Sequence, residues 1–128
     1  MSMYPLTLKE RILGGELIRY AEAYYAFPVV SKSTDHYFPP SGYYLSLMNY
    51  KRKTFMIYAD TQPVDVVLED SFDHSTYKPV AGANIASADF ETDKWNYIHT
   101  DIVLKYPRLK ITTGATAPNN LIVWVKAL

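Results

Sequence analysis

Short segments in which apolar and polar residues alternate follow one another along most of this chain. Residues 64–69 alternate with a period of two, and residues 108–112 repeat the pattern. This period places successive side chains on opposite faces and is typical of a half-buried strand. Similar segments recur about every eight to twelve residues, with turn residues between them. The pattern predicts about seven or eight short strands in a mainly β fold, an antiparallel β-sandwich of jelly-roll type.

The same alternation selects the candidate core. The apolar residues predicted to be buried are Leu45, Leu47, Phe55, Ile57, Val66, Leu109, Ile111, Val123 and Val125. The last segment, residues 121–125, is apolar at every position. We therefore expect this strand to lie centrally in a sheet or to be covered on both sides.

The first 27 residues do not follow this pattern. Helix-forming residues predict a short helix over residues 16–25, although Gly14 and Gly15 interrupt the segment before it. Tyrosine and isoleucine in the same residues also favour a strand. An extended arm that docks on a neighbouring copy is a third interpretation. The expected organisation is an N-terminal helix or arm over residues 1–27 and a β-sandwich domain over residues 28–128.

Composition indicates one globular domain and narrows the range of partners. Of the 128 residues, 48% are hydrophobic and 20% are charged, and the charges balance to zero. A neutral chain argues against a nucleic-acid partner, which usually requires a basic surface. Residues 65–101 are rich in acids, whereas residues 102–128 carry bases only. The two segments could complement each other within the fold or between copies.

Targeting signals are not evident in the sequence. Residues 1–9 lack the apolar core of a signal peptide, and no apolar run is long enough to span a membrane. We therefore expect no membrane partner and a location inside a cell or on a particle assembled there. The absence of cysteine and the single glutamine, Gln62, favour a thermophilic source.

No catalytic motif is present. The sequence has no cysteine nucleophile, no G-x-S-x-G elbow and no glycine-rich phosphate loop. His36, His74 and His99 each lie near an aspartate, but on separate segments without metal-ligand spacing, so we interpret them as turn or edge residues. The sequence therefore predicts a protein that is not an enzyme and holds no cofactor or metal.

One acidic segment is a weaker candidate for chemistry. Asp89, Glu91 and Asp93 alternate as at the start of a calcium-binding EF-hand loop. Lys94 and Thr100 stand where that loop needs glycine and glutamate, so a solvated acidic loop is favoured. A looser calcium site, or a pair of carboxylates acting as general acid and base, stays an alternative.

Aromatic residues are the most unusual feature. The chain has 12 tyrosines, more than one small core usually holds, and tyrosine is favoured at interfaces. We predict self-association, with an interface that includes Leu17, Tyr20, Tyr24 and Tyr25, because their segment does not fit the sandwich pattern. Exposed aromatic rings could instead stack on sugars, so a carbohydrate-binding module is the alternative.

The C-terminal quarter carries a family resemblance. Residues 106–111 read YPRLKI, a loop of small residues contains Ala117-Pro118, and residues 123–125 read VWV. This order resembles the closing strands of small β-sandwich structural proteins of phages and archaeal viruses. The resemblance implies a non-enzymatic structural subunit, other virion proteins as possible partners, and a location in the virion or host cytoplasm. It transfers no active-site residues.

Overall fold

The computed structural model describes residues 1–128 and confirms the mainly β class. Its only helical segment is a 3-10 turn at Ser87–Asp89, so it contains no helix of the length and apolarity needed to cross a membrane. There are more strands than the sequence predicted, several of them very short. In chain order they are β1 (Ser2–Met3), β2 (Thr7–Leu13), β3 (Glu16–Ala26), β4 (Asp35–Phe38), β5 (Tyr43–Tyr44), β6 (Lys53–Ala59), β7 (Asp65–Asp70), β8 (Lys78–Ala86), β9 (Trp95–Thr100), β10 (Arg108–Thr112) and β11 (Leu121–Ala127).

Two antiparallel sheets pack around one core. The five-stranded sheet has the order β2-β3-β11-β6-β9, and the four-stranded sheet has the order β4-β10-β7-β8. Strands β1 and β5 form a separate parallel pair. A single cluster of 20 buried residues draws side chains from both larger sheets. Neither sheet closes on itself, so β2 and β9 are the free edges of the larger one.

The predicted core is confirmed. All nine residues selected by alternation have a solvent exposure of 0%. Leu45 and Leu47 reach the core from an irregular segment, because the strand that begins at Tyr43 ends at Tyr44. Strand β11 is central in its sheet, as its apolar sequence predicted.

The helix predicted over residues 16–25 is wrong, because this segment is strand β3. It pairs with β2 on one side and with β11 on the other, and these two ladders satisfy its backbone better than an isolated short helix would. Gly14 and Gly15 form the two-residue turn of the β2–β3 hairpin, with φ values of 57° and 82°. A turn with two positive φ values is the type I′ turn that suits hairpins, and glycine adopts it without strain.

The N-terminal segment is joined closely to the rest of the sheet. β3 is eleven residues long and contributes Ala21 and Ala23 to the buried set. All seven residues of β2, in contrast, are exposed. The division of the chain at residue 27 stays a prediction, and any deletion that reaches β3 would remove the strand next to β11.

Two further segments are strands of the four-stranded sheet. Residues 35–38 form β4 and pair with β10, and β8 extends through residues 81–86 beside β7. β8 is rich in small residues with low strand propensity, and its register with β7 shifts between Val67 and Glu69. Pairing with a neighbouring strand outweighs local propensity in both cases.

Lys53 is a charged residue on the core side of β6, with an exposure of 1%. Its Nζ donates hydrogen bonds to the carbonyl oxygens of Tyr50 (3.1 Å), Lys51 (3.1 Å) and Ile102 (2.6 Å). Burial lowers the pKa of the Lys53 ammonium, and the carboxylate of Asp101 opposes that shift. The ammonium therefore ties two loops at this end of the sandwich to the strand between them.

Candidate functional site

The outer face of the five-stranded sheet carries large apolar side chains. Directly opposed residues of paired strands point to the same side of a sheet, so the strand register aligns these side chains in two rows across the strands. We call this surface the aromatic face, and define it as Tyr24, Met56, Tyr58, Trp95, Tyr97, Ile122 and Trp124. The outer side of an antiparallel sheet is usually polar where it meets water. Large apolar residues on an outer face are typical of a surface that another molecule covers.

The rings of the aromatic face contact one another across the strands. Tyr24 and Trp124 meet edge to face with ring centroids 6.0 Å apart, and Trp124 meets Trp95 at 6.0 Å. Trp95 in turn lies 5.7 Å from Tyr58. Such pairs are each worth about 0.5–1.5 kcal/mol beyond the area they bury. The rings therefore form one connected surface.

Solvent reaches this surface unevenly. Tyr24 is 53% exposed and Tyr97 is 54% exposed, while the rings between them are half-buried by their neighbours. Met56 is buried. On the outer side of the central strand β11, Trp124 is half-buried, and its contacts are with rings and charged side chains of the same sheet. The face thus lacks a second layer within one subunit.

A polar rim borders the aromatic face on the side of the β2–β3 hairpin. The Nε1–H of Trp124 donates to Glu22 Oε2 at 3.0 Å, and Lys9 Nζ lies 3.7 Å from Glu22 Oε1. Lys126 Nζ lies 5.0 Å from the ring centroid of Trp124 and 5.8 Å from that of Tyr20. The Glu22 carboxylate lies among two lysines of this rim, and its hydrogen bond fixes the orientation of the indole.

The opposite border is acidic. Tyr58 donates from its hydroxyl to Asp93 Oδ1 at 3.3 Å. Partial burial, followed by the Asp93 carboxylate, raises the pKa of the Tyr58 hydroxyl. Asp60 accepts backbone hydrogen bonds from Asn119 and Asn120, the nearest at 2.8 Å. The Tyr58 hydroxyl therefore keeps its proton at neutral pH and donates a hydrogen bond to Asp93.

The structure separates the four residues predicted for the interface. Tyr20 and Tyr24 lie on the outer side of β3, and Tyr24 belongs to the aromatic face. Tyr25 points to the core side, where its ring lies 4.8 Å from Phe27 and 5.7 Å from Phe38. Leu17 is 54% exposed on the core side of the hairpin, beyond the end of the sandwich core. A single surface therefore brings together Tyr20 and Tyr24 only.

No three potential metal ligands converge anywhere in the chain. One ring nitrogen of each histidine contacts another group: His36 Nε2 accepts from the Ser31 N–H at 3.1 Å, and His99 Nδ1 lies 2.9 Å from Thr54 Oγ1. His74 Nδ1 lies 2.7 Å from the Tyr77 hydroxyl. These three histidines therefore make local structural contacts in turns and strands.

The acidic segment is likewise committed to local contacts. Glu91 pairs with Lys94 at 3.7 Å, and the Glu91 N–H donates to Asn96 Oδ1 at 2.8 Å. Asp93 has a positive φ of 60° and accepts from Tyr58. The carboxylates of Asp89, Glu91 and Asp93, the alternative calcium site, do not come together as a group of metal ligands.

The acidic and basic segments meet within the fold at one ion pair. Arg108 Nε donates to Glu69 Oε1 at 2.8 Å, between the neighbouring strands β10 and β7. The guanidinium of Arg108 also lies over the rings of Tyr37 (4.3 Å) and Tyr77 (3.6 Å). Arg108, Tyr37 and Tyr77 thus form a cation–π contact within this chain.

Comparisons with known proteins give one structural likeness. No protein-family model and no curated protein matches the chain. A solved structure of Bacillus endospore appendages, described as forming a novel family of disulfide-linked pili, is similar to 84% of this chain and 87% of that one. Sequence identity is 12% and the TM-score is 0.48. This chain contains no cysteine.

Sequence reasoning missed most of the aromatic face. Trp95 and Tyr97 were readable as neighbours on one face, because they lie two residues apart in a strand. Trp124, Met56 and Tyr24 join them only through the pairing of strands distant in sequence. The available signal was residues 121–125, whose apolar side chains on both sides predicted a strand that is central or covered on both sides.

Proposed function

We propose that the protein is a non-enzymatic structural subunit that assembles with copies of itself through the aromatic face. The observation that supports this function is the uncovered outer side of the central strand β11, with Trp124 at its middle. Burial of half-exposed rings against a second copy would remove them from water, the dominant favourable term in most associations.

The whole outer side of the five-stranded sheet, which holds the aromatic face and its rim on β2 and β3, is large enough for a stable contact. Five strands about 4.8 Å apart and about six residues long at about 3.4 Å per residue give a surface of roughly 24 by 20 Å. Two copies would bury about 1,000 Å² together, the lower end for specific interfaces. Glu22 and Lys126 lie opposite each other in register at the rim, and a second copy brings the same two charges to the contact.

The test compares the association of matched variants. The double variant Tyr24→Ser/Tyr97→Ser removes the two most exposed rings of the face without touching the core. Phe72→Ser is the control, since Phe72 is 84% exposed on a turn of the other sheet. Sedimentation equilibrium at high micromolar concentration should show a multimer for the wild type and the control, and a smaller species for the double variant. A monomeric wild type would overturn the proposal.

A viral setting is the finer part of this proposal. The resemblance of residues 95–128 to structural proteins of phages and archaeal viruses supports a virion or accessory subunit. Other virion proteins would then be partners in addition to copies of the chain. Co-purification of the protein with particles from its source, at a stoichiometry of many copies, tests this setting. Its absence from particles would leave the assembly proposal standing and remove the viral one.

Carbohydrate binding is the second candidate function. The exposure of Tyr24 and Tyr97, with the polar groups of Lys126 and His99 beside them, supports it, because sugars stack on rings and need hydrogen-bond partners at the edge. A glycan array with the wild type and the Tyr24→Ser/Tyr97→Ser variant separates the two functions. A glycan bound by the wild type only, together with a monomeric state in solution, favours the carbohydrate function.

A further inference from the structure

The β2–β3 hairpin carries a second unpartnered surface, distinct from the aromatic face. β2 is an edge strand, and all seven of its residues are exposed. A two-stranded ribbon alone is marginally stable in water, and a long exposed edge is a template for another strand.

The turn determines which backbone groups of β2 are free. A two-residue type I′ turn closes with a hydrogen bond between Leu13 and Glu16, the residues that flank the two glycines. Antiparallel ladders alternate between residues that bond to the partner strand and residues that face away from it. The N–H and C=O groups of Leu8, Glu10 and Ile12 therefore point to the open edge.

The side chains at these positions suit a second strand. Leu8 is 77% exposed and Ile12 is 72% exposed, and both lie on the core side of the sheet beyond the four-stranded sheet. Leu17, opposite Ile12, extends the same apolar strip. Between them, Glu10 Oε1 lies 3.2 Å from Arg19 Nε, so the charge in the strip is compensated.

We infer that β2 pairs antiparallel with β2 of a second copy, about a two-fold axis at Glu10. Of the two-fold registers, this one pairs all three free residues of both copies and places Leu8 opposite Ile12 of the partner. The two-fold axis stands perpendicular to the sheet, so the core-side faces of both copies stay on the same side. The net charge of the chain is zero, so two copies do not repel each other overall.

The inference rests on the proposed self-association but names a different surface. Together with a contact through the aromatic face it gives each subunit two interfaces, so assembly continues into a chain instead of stopping at a pair.

The proposed register also places like charges together, because Lys9 lies opposite Arg11 of the partner on the outer side. Added salt should therefore strengthen the β2 contact by screening these like charges.

Single cysteines test the register, since the chain has none of its own. Opposed residues of a hydrogen-bonded pair have Cα atoms about 5.5 Å apart, within the range of a disulfide. Glu10→Cys should oxidise to a covalent dimer, seen by intact mass. Leu8→Cys alone should not, but a mixture of Leu8→Cys and Ile12→Cys should give the mixed dimer. Oxidation of Glu10→Cys no faster than that of the exposed control Phe72→Cys would overturn the inference.

A proline variant tests the same edge without chemistry. Glu10→Pro removes an N–H that points to the open edge and leaves the ladder with β3 intact, whereas Glu10→Ala keeps that N–H. Sedimentation should show a smaller species for Glu10→Pro than for Glu10→Ala. Equal masses would count against the β2 contact. The Glu10→Cys oxidation is repeated in a chain that also carries Tyr24→Ser/Tyr97→Ser, to distinguish the two surfaces. Cross-linking that persists in this chain supports a β2 contact that does not depend on the aromatic face. Loss of the cross-link overturns an independent β2 contact.

Discussion

Trp124 and Glu22 join two neighbouring strands through a hydrogen bond of 3.0 Å from the indole Nε1–H to Oε2. The carboxylate also attracts Lys9, so one residue orients both a ring of the aromatic face and a cation of its rim. The hydrogen bond thus fixes the orientation of the ring, and a fixed ring lowers the entropic cost of the self-association proposed above.

Replacement of the indole donor tests this contact. Trp124→Phe keeps an aromatic ring but leaves Glu22 with Lys9 alone, and should lower the free energy of unfolding by about 1–2 kcal/mol. Glu22→Gln keeps an acceptor oxygen for the indole and is the matched control, with a smaller loss. Urea denaturation followed by circular dichroism measures both. A larger loss for Glu22→Gln would show that the ion pair with Lys9 matters more than the hydrogen bond.

The buried ammonium of Lys53 should be essential for stability. Lys53→Met keeps the length of the side chain but leaves the carbonyls of Tyr50, Lys51 and Ile102 without their donor. We expect a loss of roughly 2–4 kcal/mol in the free energy of unfolding. Lys51→Met changes an exposed lysine of the adjoining loop and should cost less than about 0.5 kcal/mol. Similar stabilities for the two variants would mean that water replaces the ammonium.

The turn after β7 should make stability depend on acid. Asp73 accepts hydrogen bonds from the N–H groups of Thr76 and Ser75 and from the Ser71 hydroxyl, which lower its pKa from 3.8 to about 2. A carboxyl with a depressed pKa stabilises the fold above its unfolded pKa, and that contribution is lost as pH falls from about 4 to about 2. Asp73→Asn, which cannot titrate, should flatten this part of the curve of unfolding free energy against pH. Asp89→Asn, outside the turn, is the control. An unchanged slope for Asp73→Asn would contradict the assignment.

The hairpin turn predicts opposite results at adjacent glycines. Gly15 has a φ of 82°, so Gly15→Val should strain the turn by about 1–2 kcal/mol and loosen the hairpin. Gly14 has a φ of 57°, which asparagine adopts readily, so Gly14→Asn should be nearly neutral. Hydrogen exchange of the amides of β2 and β3 measures the loosening. Equal protection in both variants would mean that the β3 ladder with β11, and not the turn, holds the hairpin.

The sequence predicted the sandwich and its core because burial follows the two-residue period within each strand. Ile111 and Val123 could be placed from their own segments without knowledge of any partner. The same local view misassigned β3, since helix propensity in residues 16–25 was weighed without the ladders that β2 and β11 supply. Gly14-Gly15 was nevertheless a readable hairpin signal, because few dipeptides fit a type I′ turn as well.

The candidate site was less predictable than the core. The abundance of tyrosine indicated an interaction surface, but abundance does not say which rings share a face. Tyr24 and Tyr97 are neighbours of one surface only because β11 and β6 lie between their strands. Strand order is a property of the whole chain, and no local pattern encodes it. Tyr25 shows the limit most directly, since its position next to Tyr24 in sequence puts it on the opposite side of the sheet.

Both tryptophans of the chain, Trp95 and Trp124, lie on the aromatic face, with ring centroids 6.0 Å apart. Intrinsic fluorescence of this protein therefore reports on one outer surface and is nearly blind to the hydrophobic interior. Any occupant that displaces water from that surface, whether a second copy or a sugar, should move the emission to shorter wavelength while circular dichroism stays unchanged. The two tryptophans are thus a built-in optical probe for the covering of the aromatic face.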